Sequence, residues 1–547
     1  MRRRNFLALT TLPLAAPATF TLAAQGLENL DLSMIHQIKN EAFNNSKVMD
    51  TMFWLCDANG PRLSGSPGYK KAAEWVKKNL TEQGIADVKF EEFDFGRGWQ
   101  HTKYAGHMIE PAYMEVIGFP MAWTPGTNGP VRGEVVYAPL RTPADLEKWK
   151  GKLKDKIVLA DAARSLELPL TSDGHRYTAD ELSKLADAPE PGANPFGRAG
   201  GPPAAAPGAP PMTREQMMAF REKITQFLTD EGVAVVVKTS YTGDSGAVFG
   251  SNGGPYQKDK PVPPPTVAIA AEHYNRALRL IEKKVPVTME FDIQAKFFDE
   301  PGNAFNVIAE IPGTSRKDEY VMIGAHLDSW QGGTGATDNA AGSAVMLEAM
   351  RILKALNVRT QRSIRLGLWC GEEEGLIGSR AYVKSHLADP ADMKTKPEHA
   401  KMTAYFNVDN GSGKIRGIYT QGNEMVRKMF SQWLEPFVDM GVSTVTNRNT
   451  GGTDHQSFDA VGIPAFQFIQ DPLDYSTRTH HSNMDTIDRV QKGDLMQMAA
   501  VVASFAYHAA TRDPQVPRKP LPKPTPQQVP GGTGGPPSPS SAGGGQR

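Results

Sequence analysis

The residues of this chain best able to do chemistry sit where apolar runs end. The run 321–325 leads into His326-Leu327-Asp328, and the run 364–369 leads into Cys370-Gly371-Glu372-Glu373-Glu374-Gly375. The run 404–408 leads into Asp409-Asn410-Gly411, and 465–469 leads through a loop to His480-His481-Ser482-Asn483-Met484-Asp485-Thr486. Gly335-Ala336-Thr337-Asp338-Asn339 precedes a helix expected to open near Ala340. The chain has two cysteines, Cys56 and Cys370, so a CxxC zinc ribbon is excluded and any metal must be held by His, Asp and Glu. Imidazole nitrogens and carboxylate oxygens suit zinc, at about 2.0–2.2 Å. Two divalent ions about 3.5–4 Å apart need a carboxylate between them, and Asp338 suits that bridge. One carboxylate must stay unligated as general base, and the adjacent Glu372 and Glu373 can divide these roles. Asp328, two residues after His326, can orient the imidazole.

Each residue also has a commoner use. A His at a strand end is usually structural, and a Glu run is usually a solvated face. Asp409-Asn410-Gly411 alone reads as a turn, and Asp485 and Thr486 could cap the next helix. Their joint arrival at successive strand ends, in this order, is what makes them specific.

The elements that must position them form an α/β pattern. From about 303 to 512, strands at 307–311, 321–325, 364–369, 404–408 and 465–469 alternate with helices. The strands are mostly apolar, as strands buried on both faces should be. They predict a mostly parallel, mixed sheet with helices on both faces, and ligands in such sheets bind outside the carboxyl ends of the strands. Upstream, 27–95 is helical and then mixed, with Ala72, Trp75, Val76 and Leu80 at helical spacing before Gly84. The block from about 99 to 292 is strand-rich, at 133–137, 156–160 and 233–237. One helix interrupts it, with Thr213 and Gln216 as a capping box and Met217, Phe220, Ile224, Phe227 and Leu228 as its apolar face.

Composition bounds the rest. The 547 residues are 40% hydrophobic and 22% charged, a globular balance. Lys+Arg and Asp+Glu both number 60, so no net charge draws the chain to nucleic acid. Arg3-Arg4-Asn5-Phe6-Leu7 opens a short, proline-broken apolar run that reads as an export signal of twin-arginine type over 1–24, too short for a membrane span. Export places the protein in the periplasm or outside a bacterial cell, with no stable membrane span afterwards. The Pro/Ala/Gly-rich stretch 187–212 and the Pro/Gly-rich tail 513–547 are both expected to be disordered.

The order His326-x-Asp328, Gly335-x-x-Asp338-Asn339-x-x-Gly342, Glu372-Glu373-x-Gly375-Leu376-x-Gly378-Ser379, Asp409, Asp454-His455, His481-x-x-x-Asp485-Thr486 resembles the co-catalytic zinc aminopeptidases. That family also takes in glutamate carboxypeptidases, glutaminyl cyclases and the transferrin receptor. The stretch Asn59-Gly60-Pro61-Arg62-Leu63-Ser64-Gly65-Ser66-Pro67-Gly68, with His480-His481-Ser482, is similar to the carboxypeptidase Q (plasma glutamate carboxypeptidase) branch. The resemblance implies a phosphorylase/hydrolase-like zinc peptidase domain in two segments, 25–100 and 296–512, with an inserted strand-rich protease-associated domain at 101–295. It implies two zinc ions per chain, one on His326, Asp338 and Asp409, the other on Asp338, Glu373 and His481. Glu372 would be the general base. His480 stands where some relatives carry a Tyr that stabilises the oxyanion, and it would take that role. The activity implied is an exopeptidase cutting peptide ends or dipeptides through a metal-activated water, with aminopeptidase, dipeptidase and carboxypeptidase action all open. Dimerisation is a further implication. The rival readings are a non-catalytic, receptor-like binding module of the same fold and a glutaminyl cyclase; intact ligands with Glu372 oppose the first, and the insert opposes the second.

Overall fold

The structure, a computed structural model, describes residues 28–85, 87–168, 170–187 and 213–524. The expected export signal 1–24, residues 188–212 of the Pro-rich stretch and the tail beyond 524 lie outside the described residues.

Two eight-stranded mixed sheets organise the chain. The first runs, edge to edge, Lys89–Glu92, Phe305–Ile311, Arg362–Trp369, Arg316–His326, Met402–Asn407, Ala465–Gln470, Ile415–Tyr419 and Thr444–Thr446. Its four central strands are parallel, and His326 pairs in register with Trp369. Three of the motif-bearing turns therefore leave the sheet along one edge. Alternate residues of each strand enter opposite cores: Val321, Ile323 and Ala325 face one, Tyr320 and Met322 the other. The helices Ala341–Ala355 and Lys492–Thr511 cover the first face, and Ile377–His386 packs on the second. Lys492–Thr511 is buried on nearly its whole circumference from Asp494 to Ala510, as a helix apolar all round must be.

The second sheet draws every strand from residues 98–298, with the parallel set Val131–Tyr137, Ile157–Leu159, Val235–Thr239 and Thr266–Ile269 at its centre. Helix Ala271–Glu282 covers one face and Arg214–Asp230 the other. The Thr213/Gln216 capping box forms as expected. Only the second half of that helix is seated, on Ile224, Phe227 and Leu228. Met217 is 41% exposed and lies outside that core. The two blocks meet at Gly98, where a Cβ would lie 1.9 Å from the carbonyl oxygen of Gly65.

One expectation is corrected. The tail was expected to be disordered from Asp513, yet 513–524 lies along the first block. Val516 is 1% exposed and its N–H donates to Thr403 Oγ1 at 3.1 Å. Lys519 binds the Gln421 carbonyl and pairs with Asp459, both at 2.7 Å, and Asn423 donates to the Pro517 carbonyl at 2.8 Å. A Pro-rich segment cannot build a core of its own, but it can be ordered by donors and acceptors that another surface supplies.

Candidate metal centre

His326 is the last residue of its strand. Its Nδ1 lies 3.0 Å from the backbone oxygen of Asp328, and the Ser343 hydroxyl donates to the His326 carbonyl at 2.7 Å. With Nδ1–H so engaged, Nε2 carries the lone pair and faces inward. It lies 3.2 Å from Asp338 Oδ1 and 3.3 Å from Asp409 Oδ1. The expected role of Asp328 is thus split. Its carbonyl orients the imidazole, while its carboxylate accepts from the N–H groups of Glu372 and Glu373 at 3.4 and 3.3 Å and from the Ser64 hydroxyl at 3.1 Å.

Asp338 sits in a tight turn, Ala336–Ala340, whose backbone is fixed by a residue far along the chain. Asp485 accepts from the N–H of Thr337 at 2.7 Å and of Asp338 at 3.1 Å. The second oxygen of Asp338 lies 3.2 Å from His481 Nε2, and Glu373 Oε2 lies 3.0 Å from the same nitrogen. His481 itself has φ 66, and its ring stacks on His480 with centroids 3.7 Å apart. His480 Nε2 is 3.7 Å from Asp338 Oδ2. The Glu run is not a solvated face: Glu372 and Glu374 are 9% and 8% exposed, and Glu374 turns away to accept from Ser64 at 2.7 Å.

The electrostatics are those of a site crowded with like charge. Burial, ahead of the opposing pull of His326 and the push of Asp409, drives Glu372 well above the usual carboxylate range. Burial and Asp338 push Glu373 up to about 7. For Asp338, burial acts upward, but the imidazoles of His326 and His481, each 3.2 Å away, hold it well below. Cations would relieve this repulsion, and the donors fit them. His326 Nε2, Asp338 Oδ2 and Glu373 Oε1 are buried with no hydrogen-bond partner among the described residues. Two groups of potential ligand atoms, His326/Asp338/Asp409 and Asp338/His480/His481, share Asp338. A cavity of about 10 Å³ is lined by Asp338, Glu373 and His481, about the size of one small occupant. All five proposed ligands, with Glu372 and His480, thus come together.

Residues 306–506 match the model of peptidase family M28. That segment contains all seven candidate residues. Carboxypeptidase Q of Mus musculus is 25% identical over 466 residues, which span 85% of this chain and 86% of that one. A peptidase M28 precursor from Shewanella amazonensis has the same fold, with a TM-score of 0.63 at 24% identity, covering 90% of this chain and 98% of its own. A zinc aminopeptidase from Bacillus subtilis aligns with a TM-score of 0.52 at 20% identity, over 85% of this chain and 95% of its own. The resemblance read from the motifs is found over the residues that carry them.

Three residues have supporting roles that the sequence reading did not assign. Asp485 holds the backbone of Asp338, as described. Trp330 packs edge-on to His481 at 6.0 Å and lines the small cavity beside Asp338 and Glu373. Arg62 is fully buried and donates to the carbonyls of Leu327, Leu55, Thr334 and Gly335 at 2.7–2.9 Å, bracing the loop before Asp338. Its place in Asn59-Gly60-Pro61-Arg62 was the available signal.

Proposed function

We propose that this chain is a zinc-dependent exopeptidase with two zinc positions joined by Asp338. The observation that carries it is the pair of donor groups sharing that carboxylate, with the buried Glu372 outside both and within electrostatic reach of His326, Asp409 and Glu373. The match to peptidase family M28 and the likeness to carboxypeptidase Q support the same reading. His326 and Asp409 would complete one position, Glu373 and His481 the other. Bound zinc supplies Lewis acidity, acidifying a water and polarising the scissile carbonyl. Glu372 accepts the proton of the attacking water and passes it to the departing amine nitrogen. His480 offers a hydrogen bond to the carbonyl oxygen as charge builds there. Asp485 and the Asp328 carbonyl keep Asp338 and His326 aimed inward.

Among the described residues no helix is long and apolar enough to cross a membrane. On the Arg3-Arg4-Asn5-Phe6-Leu7 start we place the protein outside the cytoplasm. The test of function is a peptide set assayed after zinc removal and reloading. Hydrolysis that needs a free terminus and returns with zinc supports the reading. Cleavage of a doubly blocked peptide at an internal bond overturns exopeptidase action, and zinc uptake without hydrolysis leaves the receptor-like reading.

A further inference from the structure

A cleft of about 410 Å³ opens where the two blocks meet, and it shares no lining residue with the metal centre. One wall is the helix Ala179–Ala186 of the second block, started by a capping box between Thr178 and Glu181. The other is the edge strand Thr444–Thr446 of the first sheet, with the start of the helix Arg427–Leu434. Thr446 Oγ1 donates to the Leu185 carbonyl at 2.6 Å and ties the two walls together. The helix turns one stripe to the cleft, Ala179, Leu182, Ser183 and Ala186, at the i, i+3, i+4, i+7 spacing of a single face. Its short side chains leave the room. The volume is that of a small-molecule site, about 300–1,000 Å³.

The charge of the lining is one-sided. It holds two arginines, Arg416 and Arg427, and among the described residues no aspartate or glutamate. Arg416 is fixed in place. Its Nε donates to the Gly441 carbonyl, and its Nη1 to the Tyr177 carbonyl and to Asp471 Oδ1, all at 2.9 Å. Its Nη2 has no hydrogen-bond partner among the described residues. Gly441, with φ 79, leaves that nitrogen uncovered: a Cβ there would stand 3.7 Å from it. Arg427 is looser. Its side chain is 46% exposed and its ion pair with Glu424 is 3.5 Å long, a kind of contact worth little in water. The hydroxyls of Ser183 and Ser443 face the same space. One preset guanidinium and one that can turn towards it are matched to the two oxygens of a carboxylate.

We propose that this cleft is a second binding site, for a small organic carboxylate with an apolar body and no free ammonium group. The arginines call for the anion. The apolar stripe of Ala179, Leu182 and Ala186 calls for the body, because a bare inorganic anion would leave it facing water. A free ammonium would find no carboxylate in the lining and would stand beside two like charges. An N-acylated amino acid is the simplest molecule with all three properties. Since the walls come from different blocks, the bound molecule bridges them, and a ligand of the folded chain alone raises the melting temperature.

The experiment titrates N-acetyl-leucine calorimetrically into the zinc-loaded wild type, Arg427→Met and Ser183→Phe. N-acetyl-leucine amide, free leucine and inorganic phosphate are the comparison probes. Residues 183 and 427 are both exposed, so the variants should keep the wild-type melting temperature without ligand. The wild type should bind N-acetyl-leucine and melt higher in its presence. Arg427→Met should weaken binding about 10- to 100-fold, the scale of a lost charge-assisted hydrogen bond, and Ser183→Phe, which fills the cleft, should abolish it. The amide, leucine and phosphate should each bind the wild type at least about tenfold more weakly than N-acetyl-leucine. No binding by the wild type overturns the proposal, as does an affinity that neither variant changes, which would place the probe at the metal centre. An amide that binds equally well overturns the carboxylate, equal binding of phosphate overturns the apolar body, and equal binding of leucine overturns the exclusion of an ammonium.

Discussion

The backbone N–H of Gly250 donates to the carbonyl of His481 at 3.1 Å, joining the second sheet's block to the loop that carries a proposed metal ligand. The joint is continuous. Phe249 bridges Ser482, the Asn483 N–H donates to the Val248 carbonyl at 3.0 Å, and the Val248 N–H donates to Asn483 Oδ1 at 2.7 Å. On the far side of the loop, His175 bridges Leu473. The second block is therefore part of the frame of the site.

Asn483→Ala should loosen that frame without touching the donors. Loss of the side-chain bond costs about 1 kcal/mol of stability. Supports behind metal ligands are worth about 10–100-fold in affinity, and the weakening should fall on the His481 side. Zinc competition against a chromogenic chelator reads it; one zinc weakened and one unchanged is the expected result.

Glu372→Gln keeps shape but cannot take a proton. Turnover should fall by about 10²–10⁴-fold, with zinc content unchanged by elemental analysis. Asp338→Asn should instead lower zinc at both positions together, since both share that carboxylate.

These outcomes test the part of the site that was legible in the sequence. His326, Glu372, Glu373 and Asp409 stand out because apolar runs announce the strand ends that deliver them, and Asp338 because its Gly-flanked turn precedes a helix. The capping box at Thr213 and Gln216 is equally local. What stayed hidden depends on partners far along the chain. Asp485 reads as a helix cap, but its partner Thr337 lies 148 positions away. Asp328 was expected to orient the His326 imidazole, and only the folded turn shows that its backbone carbonyl faces the ring. Met217 looks like core by spacing, yet spacing does not say which turns of the helix find a partner surface.

Deletion of 513–547 should lower the melting temperature by several degrees. It removes the buried Val516, worth about 1.5–3 kcal/mol of burial, along with the Lys519 and Arg518 contacts. A kcal/mol shifts Tm by about 2–4 °C in chains of 150–250 residues, and less in longer ones. A chain ending at Pro524 keeps all these contacts and serves as the control in a calorimetric scan.

A charge cluster away from the metal centre should shape the pH dependence of stability. Hydrogen bonds to Glu398 and Glu91, both 3.1 Å away, raise His386 from 6.5 to about 9. Burial acts upward on Glu398, but His386 and Arg365 hold it at about 2 against a usual 4.5. The histidine's contribution is full below pH 6.5 and is lost as pH rises through 9. The carboxylate's contribution is full above 4.5 and is lost as pH falls through 2. Melting temperature should therefore fall between pH 6.5 and 9 in the wild type, and His386→Gln should flatten that fall.

The all-round burial of Lys492–Thr511 sets an order of assembly. This helix is the last among the described residues, and it fills the centre of the larger core. While a ribosome still holds it, the strands it covers expose apolar surface to water. The sheet from 98–298 has its own core and all of its strands by then. The nascent protein should thus carry one finished half and one open half until synthesis is nearly complete. The earlier segment, including Arg62 and the strand Lys89–Glu92, waits for partners more than 200 residues downstream. The candidate metal centre is in this sense completed late in synthesis.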